Sequence, residues 1–239
     1  MYRYVLLVFV CLFAATGVEA QSYWFGAKGG VAMNNQSWGS GGTNYSINRS
    51  PLFNINGDIF AETYDEDKKG ALYAQLGFHT RGSSLRYISF LSDFRSQVKY
   101  KFHNLVLELG AKKGLHLVSG MNAYFILGVR GEYTVGSNLD NISRSNLGEL
   151  VSPDYIRKLN YGVTFGGGFE REVSALSNLF IEFSVQPDLS FQYEQFPIDN
   201  IRNPWIPNER MNLPLTQVRN LSIEAKVGIK FLRKVIYSD

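Results

Sequence analysis

The most constraining feature of the chain is a two-residue alternation of apolar and polar side chains, which recurs in eight segments of about ten residues. In the second segment, for example, Phe53, Ile55 and Ile59 are separated by polar residues. This period is that of a β-strand with one apolar face. No helical period of useful length follows residue 21, so the sequence predicts an all-β fold. The predicted strands are Tyr23–Asn34, Leu52–Glu62, Ala71–Arg81, Val98–Lys112, Ala123–Val135, Arg157–Glu170, Leu179–Gln186 and Gln217–Phe231.

The first twenty residues have the pattern of a secretory signal peptide. Arg3 supplies a positive head, Val5–Ala15 is apolar, and small residues precede Gln21. We therefore predict a cleaved signal peptide over residues 1–20 and one domain over residues 21–239; an anchor that is never cut is the alternative. Cys11 lies within the apolar run, so the mature chain has no cysteine for a disulfide or a metal.

Export, alternating strands and the lack of a later apolar run of about 18 residues together indicate a β-barrel in the bacterial outer membrane. The aromatic content of 14% suits the aromatic girdles of such a barrel. With 24 basic and 21 acidic residues, the charge is too balanced to favour nucleic acid as a partner. The expected partner of the barrel wall is outer-membrane lipid, and we expect a monomer.

The predicted connections alternate in length. Long polar loops are predicted at residues 35–50, 82–96, 136–156 and 187–215, whereas the intervening connections are short turns. Outer-membrane barrels have short periplasmic turns and longer extracellular loops. The sequence therefore predicts an eight-stranded antiparallel up-and-down transmembrane β-barrel with both termini on the periplasmic side and the first strand paired with the last.

The polar faces of the predicted strands carry charges of both signs. Eight strands enclose a space just wide enough for side chains, and an unpaired buried charge is costly. We therefore expect a structural network of ion pairs in the interior, with a conducting pore or an active site as the alternatives. The predicted interior charges are Lys28, Asp58, Arg81, Glu108, Arg130, Glu132, Glu170, Glu182, Glu224 and Lys226.

Motifs for catalysis or cofactor binding are weak. The histidines are His79, His103 and His116, and Ser83 and Ser84 follow the first of them, but no Gly-x-Ser-x-Gly elbow or metal-binding spacing appears. We predict no enzyme activity, no cofactor and no metal. Two alternatives stay open: an outer-membrane lipid hydrolase using His79 or His116, and a lipocalin-like soluble carrier whose apolar faces point inward around an apolar ligand.

Four segments resemble the PorT-like outer-membrane β-barrel proteins of Bacteroidetes. They are Phe25–Val31, Leu72–Phe78, Asn104–Leu109 and Ser222–Phe231, which resemble the opening strand, two inner strands and the closing strand of that family. The third segment lacks a proline that the family commonly has. The resemblance implies a barrel in the outer membrane of a Bacteroidetes-like bacterium; it implies no shared activity, because the barrel defines the family.

The last predicted loop is the best candidate for binding a partner. It contains five prolines, which restrict the backbone, together with the aromatic residues Phe191, Tyr193, Phe196 and Trp205. An exposed aromatic patch often marks a contact site. We expect these four residues to bind a protein or a glycan; the alternative is that the loop folds over the mouth of the barrel as a lid.

Overall fold

Eight long antiparallel strands form a closed ring in the computed structural model, which describes residues 22–40, 49–64, 70–88, 95–118, 121–144, 151–203, 206 and 208–234. Each strand pairs with its neighbour in sequence, and the eighth strand returns to the first. The predicted up-and-down barrel is confirmed. The eight strands are β1 (Tyr23–Ser40), β2 (Ser50–Thr63), β3 (Gly70–Ile88), β4 (Arg95–Val118), β5 (Met121–Ser137), β6 (Leu159–Ser174), β7 (Ser177–Pro187) and β11 (Thr216–Arg233).

The closing seam between β1 and β11 is continuous. The register runs from Tyr23 opposite Arg233 to Ser40 opposite Thr216 without a bulge. The two backbones approach closely at Gly30, where an added Cβ would lie 2.0 Å from the carbonyl oxygen of Ala225. Strand β1 begins and β11 ends at the rim with short turns, which is the periplasmic rim in barrels of this kind.

The outward face of the wall is apolar, and the inward face is polar. Leu105, Leu107 and Leu109 point away from the barrel, as do Phe125 and Leu127 on the next strand. An apolar-lined carrier would need the three leucines inside. The lipocalin-like alternative is therefore wrong, since the apolar faces form an outer band suited to lipid.

Several strands extend further than the sequence predicted. The predicted loop 82–96 is wrong over most of its length, because β3 continues to Ile88 and β4 begins at Arg95. These extensions lie on the extracellular side of the apolar band. A strand outside the membrane needs no apolar outer face, so its polar residues resemble a loop in sequence.

The long connections contain further ordered elements. A short helix α1 (Leu139–Arg144) and a 3-10 helix (Pro153–Tyr155) follow β5. After β7, strand β8 (Tyr193–Gln195) pairs with the first residues of β11, and β9 (Ile198–Arg202) pairs with β10 (Arg210–Leu213) as a separate hairpin. In the part of the chain that the structure describes, no helix has the length and apolar character needed to cross a membrane.

The outer band gives a test of orientation. Arginine near the middle of a bilayer costs roughly 2–4 kcal/mol on the lipid face of a barrel. We expect Leu107→Arg and Leu127→Arg each to reduce the fraction of protein that assembles into lipid vesicles, measured by heat-modifiable gel mobility. Ser37→Arg is the control, because Ser37 is exposed on β1 beyond the apolar band. Equal assembly of all three variants would contradict the assigned faces.

Candidate functional site

The ten predicted interior charges are all inside the barrel, and none is more than 7% exposed. The structure divides them between a periplasmic group, a middle group and an extracellular group. A cluster of apolar and aromatic side chains fills the middle of the barrel. It consists of Phe60, Tyr73, Tyr124, Ile126 and Phe180.

In the periplasmic group, two lysines and two glutamates alternate in a ring. The Lys112 ammonium lies 2.7 Å from Glu170 and 3.2 Å from Glu62, and the Lys230 ammonium lies 2.8 and 3.1 Å from the same two carboxylates. The four residues come from four different strands. The recess beside the ring has a volume of about 50 Å³, which suits a few water molecules rather than an organic ligand.

In the middle group, Lys28 and Glu182 form an ion pair of 2.5 Å across the barrel. Glu108 instead accepts hydrogen bonds from the hydroxyl groups of Tyr73, at 2.6 Å, and Thr164, at 2.7 Å. The aromatic cluster thus contributes polar tips as well as apolar surface, so the buried carboxylates are solvated by side chains.

Arg81 is the centre of the extracellular group. Its guanidinium donates to Glu132 at 2.7 Å, to Glu224 at 3.1 Å and to Gln186 at 2.8 Å. Arg81 is fully buried. Because a buried guanidinium is stable only when its donors are satisfied, these contacts fix the side chain across the interior.

Lys226 connects two carboxylates of the same group. Its ammonium lies 2.7 Å from Asp58 and 2.5 Å from Glu224. Nε2 of His79 lies 2.7 Å from Asp58, and its Nδ1 lies 3.2 Å from the Arg81 guanidinium. The imidazole therefore lies inside the ion network, and both ring nitrogens are engaged.

Arg130 extends the network towards the cell surface. It donates to Glu132 at 2.7 Å, to the carbonyl oxygen of Val163 at 2.8 Å and to the carboxylate of Asp188. Asp188 also accepts from the amide of Asn220 at 2.6 Å. The extracellular group thus contains four carboxyl groups and three cationic side chains, and the imidazole of His79 lies between them in addition.

Sequence reasoning missed several members of this network, above all Asp188, Gln192 and Asn220. Pro187 suggested that regular pairing ends, yet the backbone continues in the wall: the Asp188 amide donates to Asn220, and the Gln192 amide donates to Val218. The signal was present in the sequence, because buried polar residues continue at every second position through Gln186, Asp188, Ser190 and Gln192.

The geometry gives no support to hydrolysis at His79. The hydroxyl of Ser83 donates to Gln36 at 2.7 Å, and that of Ser84 donates to the carbonyl oxygen of Ser50. Neither of these bonds involves the imidazole of His79, so Ser83 and Ser84 are not paired with it as nucleophile and base. The side chain of His116 lies outside the described residues. Within the described ranges, no group of three or more His, Cys, Asp or Glu residues is arranged to hold a metal ion.

The extracellular end of the barrel is closed by an apolar cluster rather than by charges. Two helical residues, Leu139 and Ile142, pack from α1 onto the strands, so the third long connection folds into the mouth. Trp38 and Tyr155 lie against this cluster. Its strand residues are Leu85, Tyr100, Phe102, Tyr193 and Val218.

The four aromatic residues predicted to form a surface patch have different surroundings. Tyr193 is fully buried in the apolar cluster, with its ring centroid 6.0 Å from that of Trp38, so it cannot contact a partner. Phe191 lies 4.2 Å from the Arg219 guanidinium. Phe196 is 63% exposed, and Trp205 lies outside the described residues. The structure therefore does not bring the four together as one patch.

The β9–β10 hairpin lies within the last long connection, after β8. The Asn200 amide donates to Asn212 at 2.8 Å, the Arg210 guanidinium donates to the carbonyl oxygen of Asn200, and the Asn203 amide donates to the carbonyl oxygen of Glu209. These bonds lie within the hairpin, which forms a two-stranded sheet apart from the barrel wall.

Comparison with known proteins agrees with this architecture. The sequence profile of the outer membrane protein beta-barrel domain family matches residues 19–202, and the chain belongs to that family. Membership of this family indicates an outer-membrane location. No curated protein matches the chain.

Among solved structures, the chain is similar to OprG of Pseudomonas aeruginosa, with 13% identity, a TM-score of 0.48, and coverage of 89% of this chain and 97% of that one. It is similar to Neisserial surface protein A, with 11% identity, a TM-score of 0.44 and coverage of 89% and 99%. A third is the protease OmpT of Escherichia coli, with 8% identity, a TM-score of 0.42 and coverage of 91% and 100%.

The ion network predicts a specific pattern of stability. Arg81→Met leaves four buried carboxyl groups with two cations, and breaking a buried pair from one side costs about 3–5 kcal/mol. We expect a lower urea midpoint for the folded barrel in lipid vesicles. Glu132→Gln in the same chain removes one excess carboxylate and should restore part of the loss. Arg171→Met, at an exposed position, is the control; an unchanged midpoint for Arg81→Met would contradict the network.

Proposed function

We propose that this protein is a non-catalytic, monomeric outer-membrane barrel that presents a binding segment at the cell surface. The segment is the β9–β10 hairpin with the adjacent Phe196, and its partner is a protein or a glycan outside the cell. The observation that carries the proposal is the contrast between a barrel filled by its own side chains and a hairpin that pairs with no strand of the wall.

The filled interior argues against transport as the main role. Arg81, Arg130 and Glu132 cross the interior as one hydrogen-bonded group, and apolar side chains cover it on the extracellular side. Opening a channel would separate buried ion pairs, which is expensive. A rigid scaffold that carries a surface loop needs no such opening.

The hairpin has the chemistry of a contact segment. Ile206 is 53% exposed near its tip, and Phe196 is exposed at its base. A two-stranded hairpin alone is only marginally stable in water, and its outer edges carry backbone groups that can pair with another strand. A bound partner would cover these apolar side chains and stabilise the hairpin.

The assignment of the chain to one group of outer-membrane barrels, and of its first residues to a signal peptide, rests on the sequence. We propose that the chain is a PorT-like member from a Bacteroidetes-like bacterium, because Phe25–Val31 and Ser222–Phe231 resemble the opening and closing strands of that group. We also propose that residues 1–20 are a cleaved signal peptide. Intact-mass analysis of the protein purified from outer membranes should give a chain beginning at Gln21; a mass that includes residues 1–20 would contradict cleavage.

Replacement of the hairpin tests the binding role. Gln195 and Thr216 are cross-strand partners, so a short Gly/Ser turn can join them and remove residues 196–215 without touching β8 or β11. We expect the shortened protein to assemble normally, as measured by heat-modifiable mobility. A photoreactive amino acid placed at position 154, in an extracellular connection, should form cross-links to the partner on intact cells, and the shortened protein should lose them.

The matched point variant is Phe196→Ser with Ile206→Ser, which keeps the hairpin backbone. This double variant should lose most of the same cross-links. If the shortened protein assembles and keeps every partner, the hairpin is not the binding segment. If it fails to assemble while the double variant assembles, the hairpin has a structural role instead.

A further inference from the structure

Strand β4 shows where the barrel wall passes from water into lipid. Along this strand, the apolar residues change from the inward face to the outward face. Near the extracellular end, Tyr100 and Phe102 point inward and are fully buried, while Lys99 and Lys101 point outward. Further along, polar residues point inward, and the outward residues are apolar from Leu105 onward. A wall that passes from water into lipid requires this exchange.

The same exchange occurs on β11, on the other side of the ring from β4. Val218 is buried inside, Arg219 is exposed outside, and the outer face is apolar from Leu221 onward. At the start of β6, the exposed residue Lys158 directly precedes the exposed Leu159. On β4 and β11, therefore, a basic pair or a basic residue lies beyond the outer apolar band, and Lys158 lies just before β6.

Lys99 and Lys101 have no ion pair with any residue that the structure describes. The residues opposite them on β3 are Ser84 and Gly82, so no carboxylate stands beside them on that strand. On the other side lies Asn138, whose side-chain amide donates to the carbonyl oxygen of Lys99 at 2.7 Å and accepts from the backbone amide of Lys101 at 2.8 Å. The two lysines thus have uncharged neighbours on both adjacent strands, and on the outward face His103 lies between Lys101 and Leu105.

We propose that Lys99 and Lys101 bind the phosphate groups of a phosphorylated lipid in the outer leaflet. The occupant is a lipid because the outward face of β4 passes from this basic pair, through His103, to the apolar band that begins at Leu105, which acyl chains cover. Phosphate fits because lysine binds it as a point charge, and because no carboxylate in the part of the chain that the structure describes pairs with either ammonium group. Lys158 and Arg219 are suited to the same headgroup layer elsewhere on the ring.

The test uses the full mature protein in a neutral detergent, titrated with bisphosphorylated lipid A and, separately, with dephosphorylated lipid A, with binding followed by native mass spectrometry. We expect Lys99→Gln with Lys101→Gln to weaken binding of the phosphorylated lipid about tenfold or more. Lys99→Arg with Lys101→Arg should retain it. Both positions face outward, so heat-modifiable mobility should match that of the unaltered protein.

The matched control is Lys113→Gln with Lys234→Gln, which removes the same charge at the periplasmic rim, where both side chains are exposed. Equal loss in the two double variants would mean that net charge alone is responsible, and the proposal would fail. Full affinity without Lys99 and Lys101, or equal binding of dephosphorylated lipid, would also overturn it. Competition by millimolar inorganic phosphate would indicate a small-anion site instead of a lipid contact.

Discussion

The pairing of β1 with β11 is the interaction on which the rest of the structure depends. Lipid offers no partner to backbone amide and carbonyl groups, so an open sheet edge inside the bilayer would be prohibitively costly. Closing the ring at eight strands leaves an interior only as wide as the side chains that fill it. The outer face must be apolar, but every second residue of a strand faces inward and is free to be polar. The charged side chains are therefore concentrated in the interior.

The buried charges also oppose slippage of the strands. Lys28 on β1 pairs with Glu182 on β7, and Arg81 on β3 reaches Glu132 on β5 and Glu224 on β11, so these contacts join strands that are not neighbours in the ring. A slip of one residue would turn such side chains towards lipid and leave their partners unpaired. The network therefore favours one register, although a buried ion pair by itself adds little to stability.

The parts of the fold that sequence could predict are those that the bilayer enforces. The strands within the membrane and all ten interior charges follow from a strict two-residue period. The pairing of those charges does not, because contacts such as that between Lys28 and Glu182 depend on the stagger of strands around the closed ring. The burial of Tyr193 was missed for a related reason: β8 is built by pairing with Thr216–Val218, which no local pattern announces.

The extracellular extensions show why the predicted loop 82–96 was wrong. In the described part of that segment the two-residue period of burial is lost, because Gly82, Ser83, Ser84 and Leu85 are all buried. On β4, the inward face changes from the aromatic Tyr100 and Phe102 to the charged Glu108 further along. In water, apolar side chains are driven inward, whereas in lipid they are tolerated outside. A pattern sought with a constant apolar face breaks at this point. On β4 and β11, the exchange of faces is therefore itself a sequence signal, and it marks where the strand leaves the membrane.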